Sequence, residues 1–231
     1  MGDPGTGKTT LSTAITAHIT TGRVLPQSVN YQAAPIQAAV DNLDITAHSV
    51  ILQNAEDGYG DTIRPRLSSA GADLNRVYFI DEVAETPLSF TDNRLEQAIE
   101  KYKPAAVIID PVQAYLGANV DMYRANEIRP IMAHLAALAE KYDTAVILIG
   151  HMNKTGDKNA LYRELGSIDF VGAARSVLGV GVIDRADGCN FHRAIIQIKS
   201  NLATKGSAVL FDLDPERGFV WGGFDENLTE T

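Results

Sequence analysis

Apolar positions recur at two spacings along this chain, and the alternation of the two predicts a layered α/β fold. Apolar residues three and four positions apart predict helices over 8–19, 62–70, 92–102 and 124–142. Short apolar runs lie between these segments and predict strands over 49–53, 76–80, 105–109 and 144–149. Strands that alternate with helices in this way favour a mostly parallel sheet with helices on both faces.

The spacing of the apolar runs changes after Gly172, where they follow one another closely. Strands are predicted over 177–183, 194–198, 208–213 and 219–221. Short connections are typical of antiparallel pairing, so we expect these strands to extend the same sheet as an antiparallel C-terminal part. The stretch 21–44 has weak periodicity and is predicted to be irregular, with one short helix.

Length and composition fit one domain that spans residues 1–231. Hydrophobic residues make up 45% of the chain and charged residues 21%, values that are ordinary for a globular domain of this size. The net charge of −9 argues against binding of nucleic acid over the whole surface, although a few local basic residues would still allow contact with it. The single cysteine, Cys189, excludes an internal disulfide, and neither a signal peptide nor an apolar run of bilayer length is found, so a cytoplasmic protein is expected.

The strongest motif lies at the start of the chain, where Gly2 to Thr9 fits the P-loop pattern G-x-x-x-x-G-K-[ST] at every fixed position. Glycines let successive backbone N–H groups turn toward a polyphosphate. Lys8 supplies a charge for the β- and γ-phosphates, Thr9 supplies a hydroxyl for Mg²⁺, and the N-terminus of the following helix favours an anion. ATP and Mg²⁺ are therefore the expected ligands. The predicted nucleotide site consists of Gly2, Asp3, Pro4, Gly5, Thr6, Gly7, Lys8, Thr9 and Thr10.

The position of this motif is unusual. A P-loop normally follows a buried strand, whereas only Met1 precedes it here. Either that first strand is missing from this chain or another segment takes its place. We favour the first interpretation, a domain truncated at its N-terminus.

Acidic residues follow two of the predicted strands at their carboxyl ends, where ligands bind in open α/β sheets. Asp110 comes directly after the strand 105–109 and fits the Walker B pattern, whose aspartate holds the Mg²⁺ shell. Glu56 follows the strand 49–53 and could act as a base or orient an attacking water, with Asp57 as the second choice. Alternatively, Asp110 could merely end its strand, and Glu56 could belong to a solvated acidic turn.

The order of these motifs, followed by Ile149-Gly150-His151, resembles the RecA-like P-loop ATPases. Within them the chain is most similar to the RepA-type hexameric replicative helicases and their phage and plasmid relatives. The resemblance covers almost the whole chain, and its more specific parts are 55–58 (Ala-Glu-Asp-Gly), 64–67 (Arg-Pro-Arg-Leu) and 199–202 (Lys-Ser-Asn-Leu).

The resemblance implies a role for each matching residue. Glu56 would be the catalytic glutamate, Asp110 the aspartate linked to Mg²⁺, and His151 the polar residue that senses the γ-phosphate. From the sequence alone, His151 could equally be a structural histidine. A homo-oligomeric ring is implied as well, with ATP bound between subunits.

Ring ATPases of this kind stabilise the transferred phosphoryl group with a cation from the adjacent subunit, in a Lys-x-Arg pattern. This chain has Lys-Ser-Asn at 199–201, so the arginine is replaced by Asn201. Lys199 is then expected to act alone or together with Arg175, and either could instead be a surface ion-pair partner.

The loop 152–167 matches the channel-lining loop of such rings and is expected to contact the phosphates of single-stranded DNA, although a solvated connector would have a similar composition. Its basic residues are Lys154, Lys158 and Arg163. The resemblance thus implies an ATP-driven motor that acts on DNA in replication. The alternatives are a nucleotide-gated regulator or assembly factor, a recombination mediator without unwinding activity and, as the weakest, a small-molecule kinase.

Overall fold

The computed structural model describes residues 1–3, 5–26, 46–80, 87–151, 168–183, 191–201 and 204–228, in which the strands form two sheets of four. The first sheet is parallel and has the order β2-β1-β3-β4; its strands are β1 (Val50–Asn54), β2 (Val77–Tyr78), β3 (Ala106–Asp110) and β4 (Ala145–Leu148). The second sheet is antiparallel and follows chain order; its strands are β5 (Ser176–Val182), β6 (Arg193–Ser200), β7 (Ala208–Asp214) and β8 (Gly218–Asp225). The predicted change from parallel to antiparallel strands is therefore confirmed.

The two sheets meet at the first two residues of the chain. The Met1 nitrogen donates to the Leu178 carbonyl at 2.7 Å, and the Val180 N–H donates to the Met1 carbonyl at 2.7 Å. Gly2 forms a parallel bridge with His151, just beyond β4. Residues 1–2 consequently lie between β4 and β5, and the P-loop begins at the centre of the combined sheet.

Five α-helices connect the strands within the described ranges, and none of them is both long and apolar enough to cross a bilayer. They are α1 (Lys8–Thr21), α2 (Arg64–Ser69), α3 (Asn93–Tyr102), α4 (Ala125–Tyr142) and α5 (Ile168–Ala173). The predicted helix 62–70 begins as a π-helical turn over Tyr59–Ile63 and continues as α2. The predicted irregular stretch 21–44 lies mostly outside the described residues.

Helices cover both faces of the parallel sheet, and alternate residues of β3 show the division. Val107 and Ile109 pack in one cluster with residues of α3, α4 and α5, whereas Ile108 packs in another with Leu67 of α2. Successive side chains of a strand point to opposite faces, so a continuous apolar run packs against the helices on both faces of the sheet. This is the layered α/β arrangement that the periodicity predicts.

Helix α1 is buried more completely than its apolar pattern predicts. Its inward side includes four hydroxyl residues that are at most 3% exposed: Ser12, Thr13, Thr16 and Thr20. Each hydroxyl donates to a backbone carbonyl three or four residues earlier, at 2.7–2.8 Å. Hydroxyls satisfied inside the helix can be buried at little cost, and the helix that carries the P-loop is thereby fixed in the core.

Candidate functional site

Two glycines of the loop between Gly2 and Lys8 lie where a larger residue would meet a neighbour. A Cβ on Gly2 would lie 2.0 Å from the Val180 carbonyl oxygen. Gly7 has a φ of 96° and borders the Leu213 side chain, where a Cβ would approach to 3.1 Å. A side chain at position 2 would therefore push against the backbone of β5, and one at position 7 would have to adopt a backbone conformation that favours glycine. Pro4 lies outside the described residues.

Lys8 is the buried cation of this loop, with 6% of the residue exposed. Its ammonium donates to the carbonyl oxygens of Gly2 at 2.7 Å and Asp3 at 2.6 Å. Burial lowers the pKa of Lys8, and the nearby carboxylates of Asp110, Asp3 and Glu56 oppose that shift. Because burial disfavours the charged ammonium, an anion such as a phosphate bound next to it would stabilise the charged form.

Thr9 and Asp110 are 101 residues apart in the sequence and meet at the carboxyl end of β3. The Thr9 hydroxyl donates to Asp110 Oδ2 at 2.7 Å. Asp110 is completely buried, and its other oxygen, Oδ1, has no hydrogen-bond partner among the described residues. The last residue of the P-loop motif and the residue at the Walker B position are therefore in direct contact.

Glu56 and His151 face each other across the same edge of the sheet. His151 Nε2 lies 3.0 Å from Glu56 Oε1 and 3.2 Å from Oε2. The Glu56 side chain is 51% exposed, so solvent or a substrate can reach it. The two residues that are predicted to act on the γ-phosphate are therefore in direct contact with each other.

Asp57, the second choice for the base, makes a different contact. Its Oδ2 accepts a hydrogen bond from the Arg66 guanidinium of α2 at 2.6 Å. That ion pair directs the carboxylate toward α2, whereas Glu56 contacts His151. The geometry favours Glu56 for the role of the base.

Two amide residues at the end of β1 have roles that the sequence interpretation missed. Gln53 is buried and pairs through its side chain with the backbone N–H and carbonyl of Ile80, at 2.7 and 3.2 Å. Asn54 donates to Asp110 Oδ2 at 3.3 Å and accepts from the backbone N–H groups of Glu56 and Asp57 at 2.9 and 2.6 Å. An asparagine directly after an apolar strand is a common turn former, and this signal was available in the sequence.

The donor atoms at this edge fit a magnesium ion. Mg²⁺ prefers oxygen ligands and keeps several waters, and the Thr9 hydroxyl together with the unpartnered Oδ1 of Asp110 offers suitable oxygens. Ligand atoms of Glu56, Asp110 and His151 all lie within 4.8 Å of one another. Thr9 and Asp110 are the residues that would hold the ion, directly or through its waters.

A pocket of about 480 Å³ opens beside Glu56, on the side of β2. Gln53 and Ile80 belong to its lining, and they are joined by the Gln53 side chain and the Ile80 backbone. The aromatic rings of Tyr59 and Phe79, with centroids 3.6 Å apart, lie along its wall. Glu56 is therefore open to solvent on this side.

The two basic residues predicted to act across a subunit interface differ in their surroundings. The Lys199 ammonium donates to the carbonyls of Val171, Gly172 and Ala174, at 2.7–2.9 Å, and so caps the C-terminus of α5. Arg175 is exposed, and its guanidinium has no hydrogen-bond partner among the described residues. The predicted DNA-contacting loop, 152–167, lies outside them.

Replacing Asp110 by asparagine should stabilise the nucleotide-free protein at neutral pH. Burial raises the pKa of this carboxyl, and the hydrogen bond from Thr9 opposes the shift only in part. A carboxyl whose folded pKa lies above its unfolded pKa contributes stability below the unfolded pKa, and this contribution is lost as the pH rises through the folded pKa. The D110N variant should therefore unfold at a higher temperature at pH 7.5, by about 2–4 °C for each kcal/mol gained in the free energy of unfolding. This increase in unfolding temperature should become smaller as the pH is lowered.

Thermal unfolding followed by circular dichroism across that pH range measures this effect. Asp214→Asn is the control of opposite sign, because backbone N–H groups of Arg217 and Glu216 lower the pKa of Asp214. That variant should gain nothing at pH 7.5. An equal or lower midpoint for D110N at pH 7.5 would contradict the prediction.

Comparisons with known proteins found a sequence family and a similar fold. A sequence-family model described as an AAA domain matches residues 1–157, which is more than half of the chain. The fold is similar to the crystal structure of a KaiC-like protein from the hyperthermophilic archaeon Pyrococcus horikoshii OT3, with a TM-score of 0.59 over 96% of this chain and 86% of that one. The two sequences are 14% identical, so this likeness concerns the fold alone. A search of curated proteins found no match. The predicted fold class, a RecA-like P-loop fold, is confirmed.

Proposed function

The chain belongs to the AAA domain family, and we propose that it is an Mg²⁺-dependent ATP hydrolase that works as a RecA-like motor on DNA. Within that class we propose a role in replication like that of the RepA-type helicases, with the chain assembled as a homo-oligomeric ring. One observation carries the proposal. The Thr9 hydroxyl donates to the Asp110 carboxylate beside the Glu56–His151 pair, so residues for phosphate, metal and water meet at one edge.

Each residue of the site has its own role in the hydrolysis reaction. Lys8 and the loop N–H groups bind the β- and γ-phosphates, and Mg²⁺, when bound near Thr9 and Asp110, supplies positive charge to the phosphate oxygens. Glu56 orients a water and accepts its proton as the water oxygen bonds to the γ-phosphorus and the bond to the β–γ bridging oxygen breaks. His151 holds the Glu56 carboxylate in place through its Nε2.

Arg175 is our choice for the cation that reaches a neighbouring site, because its guanidinium is exposed and unpaired among the described residues whereas Lys199 is engaged at α5. A test is to mix two inactive variants, Arg175→Ala and Glu56→Gln. If Arg175 acts across the interface, mixed assemblies contain some sites with both residues intact, and hydrolysis returns to a sizeable fraction of the wild-type rate.

The Lys199→Ala variant provides the contrast for this experiment. Loss of three hydrogen bonds to α5 should lower its unfolding temperature, whatever its rate of hydrolysis. If Arg175→Ala is fully active alone, or if the mixture stays as inactive as its components, the assignment of Arg175 is wrong.

The proposed action on DNA is supported by the resemblance of the motif order and by the basic composition of 152–167. The ATP hydrolysis rate with and without single-stranded DNA tests it. A severalfold stimulation supports a DNA motor, and hydrolysis that DNA does not change favours the nucleotide-gated regulator. Failure of the protein to hydrolyse ATP under either condition would overturn the proposed function as a whole.

A further inference from the structure

We propose that Asn54 is a positioning residue for the hydrolysis reaction, an inference that rests on the proposed function above. Its carboxamide joins the Asp110 carboxylate to the short loop that carries Glu56. One side chain thus fixes two carboxylates relative to each other, although it takes no part in bond making.

The strand register places Asn54 where it can reach both partners. Asn54 is the last residue of β1 and pairs in parallel with Asp110, the last residue of β3. The Ala55 N–H donates to the Asp110 carbonyl at 2.9 Å, so the pairing continues one residue beyond β1. The side chains of Asn54 and Asp110 consequently lie next to each other at the carboxyl edge of the sheet.

The two ends of the carboxamide make different contacts. The nitrogen Nδ2 donates to Asp110 Oδ2 at 3.3 Å. The oxygen Oδ1 accepts from the N–H groups of Glu56 at 2.9 Å and Asp57 at 2.6 Å, which closes a turn directly after the strand. Only a side chain that donates and accepts through two fixed atoms can make both contacts, because an ionised aspartate at this position would have no donor.

The contacts bear on reactivity because they tie the loop that carries Glu56 to the buried Asp110 carboxylate. Asn54 and Thr9 both donate to Oδ2 of Asp110, whereas Oδ1 has no hydrogen-bond partner among the described residues. The Glu56 side chain is 51% exposed, and its position depends both on its contact with His151 and on the loop backbone that Asn54 holds. Because Thr9 still holds the buried Asp110, loss of the carboxamide should chiefly misplace the loop that carries Glu56, and it removes neither carboxylate.

The test compares Asn54→Ala with the wild-type chain in steady-state ATP hydrolysis, Mg²⁺·ADP binding by calorimetry and thermal unfolding. Misplacement of a reacting group by about 1 Å can cost roughly 100-fold in rate, so we expect N54A to lower kcat by about 10- to 100-fold. Since Lys8 and the P-loop are untouched, the Kd for Mg²⁺·ADP should change by less than about threefold.

A double-mutant cycle with Glu56→Gln separates positioning from mere stability. If Asn54 acts chiefly through Glu56, N54A should cost less than about threefold when Glu56 is already glutamine, as single-turnover measurements can show. The inference would be overturned if the rate of the double variant fell by the product of the fold-losses measured for N54A and E56Q alone. An N54A variant whose kcat stays within about threefold of wild type would overturn it as well.

Asp214→Ala is the matched control, because Asp214 closes the same kind of turn at the connection between β7 and β8. Its Oδ1 accepts from the N–H groups of Glu216 and Arg217, both at 2.8 Å. D214A should lower the unfolding midpoint about as much as N54A does and leave kcat unchanged; an equal loss of kcat in D214A would overturn the inference. If E56Q is inactive while N54A is not, this inference fails alone. If the wild type does not hydrolyse ATP, the proposed function fails and the inference falls with it.

Discussion

Replacing Glu56 by glutamine should reduce ATP hydrolysis by at least about 100-fold, which is the contribution expected of a positioned general base. Glutamine keeps the size of the side chain and can still contact His151 Nε2, but it cannot take a proton from water. Nucleotide binding should persist, because Lys8 and Thr9 are unchanged. Steady-state hydrolysis and calorimetric titration with Mg²⁺·ADP measure the two effects separately.

The adjacent carboxylate supplies the control for this prediction. Asp57→Asn alters a residue next to Glu56 that pairs with Arg66 instead, through side chains that are 33% and 40% exposed. Exposed ion pairs contribute little, so D57N should stay within about twofold of the wild-type rate. If D57N is inactive and E56Q is not, Asp57 is the base and the assignment of Glu56 is wrong.

Replacing Lys8 by methionine should weaken the binding of Mg²⁺·ATP by at least about 100-fold, equivalent to about 2.7 kcal/mol. The ammonium is buried beside the Gly2 and Asp3 carbonyls and provides the charge of the loop. Methionine keeps the apolar stem and removes that charge. Burial lowers the pKa of Lys8, which means that its charged form destabilises the folded state. K8M should therefore fold at least as stably as the wild type.

Calorimetric titration and thermal unfolding, each with and without nucleotide, check this prediction. Lys199→Met is the matched control, since it removes an ammonium that caps α5 and lies outside the P-loop. K199M should lose stability and keep nucleotide affinity, the opposite of K8M. Affinity of K8M for Mg²⁺·ATP within tenfold of wild type would contradict the role assigned to Lys8.

The sequence predicts the layered fold well because apolar periodicity directly records which faces of each element are buried. The alternating burial of Val107, Ile108 and Ile109 is of this kind. The prediction was less accurate for β2, which spans only Val77–Tyr78 of the predicted 76–80. There the side chain of Gln53, and not its backbone, pairs with the backbone of Ile80. The local pattern of apolar residues does not predict such a side-chain contact.

Helix α1 shows a second limit of periodicity. Its apolar residues predict one buried face, yet Thr16 and Thr20 are completely buried as well. A hydroxyl counts as polar in any pattern, but it can be buried once it bonds to the preceding turn of its own helix. Whether this happens depends on what packs around the helix, which the local sequence does not record.

The sequence by itself determined which residues are candidates for the site, because residue types at fixed spacing are enough to identify a P-loop and the acidic residues that end strands. Only the tertiary structure decided which of these groups touch. The contacts of Thr9 and Asn54 with Asp110 span 101 and 56 residues, and the register of β1 against β3 sets the second of them. Hydrogen bonds between distant residues depend on that register to within one residue, whereas a motif fixes only near neighbours. For the same reason, the hydrogen bonds by which the Asn54 carboxamide links Asp110 to the loop of Glu56 became evident only once the two strands lay side by side.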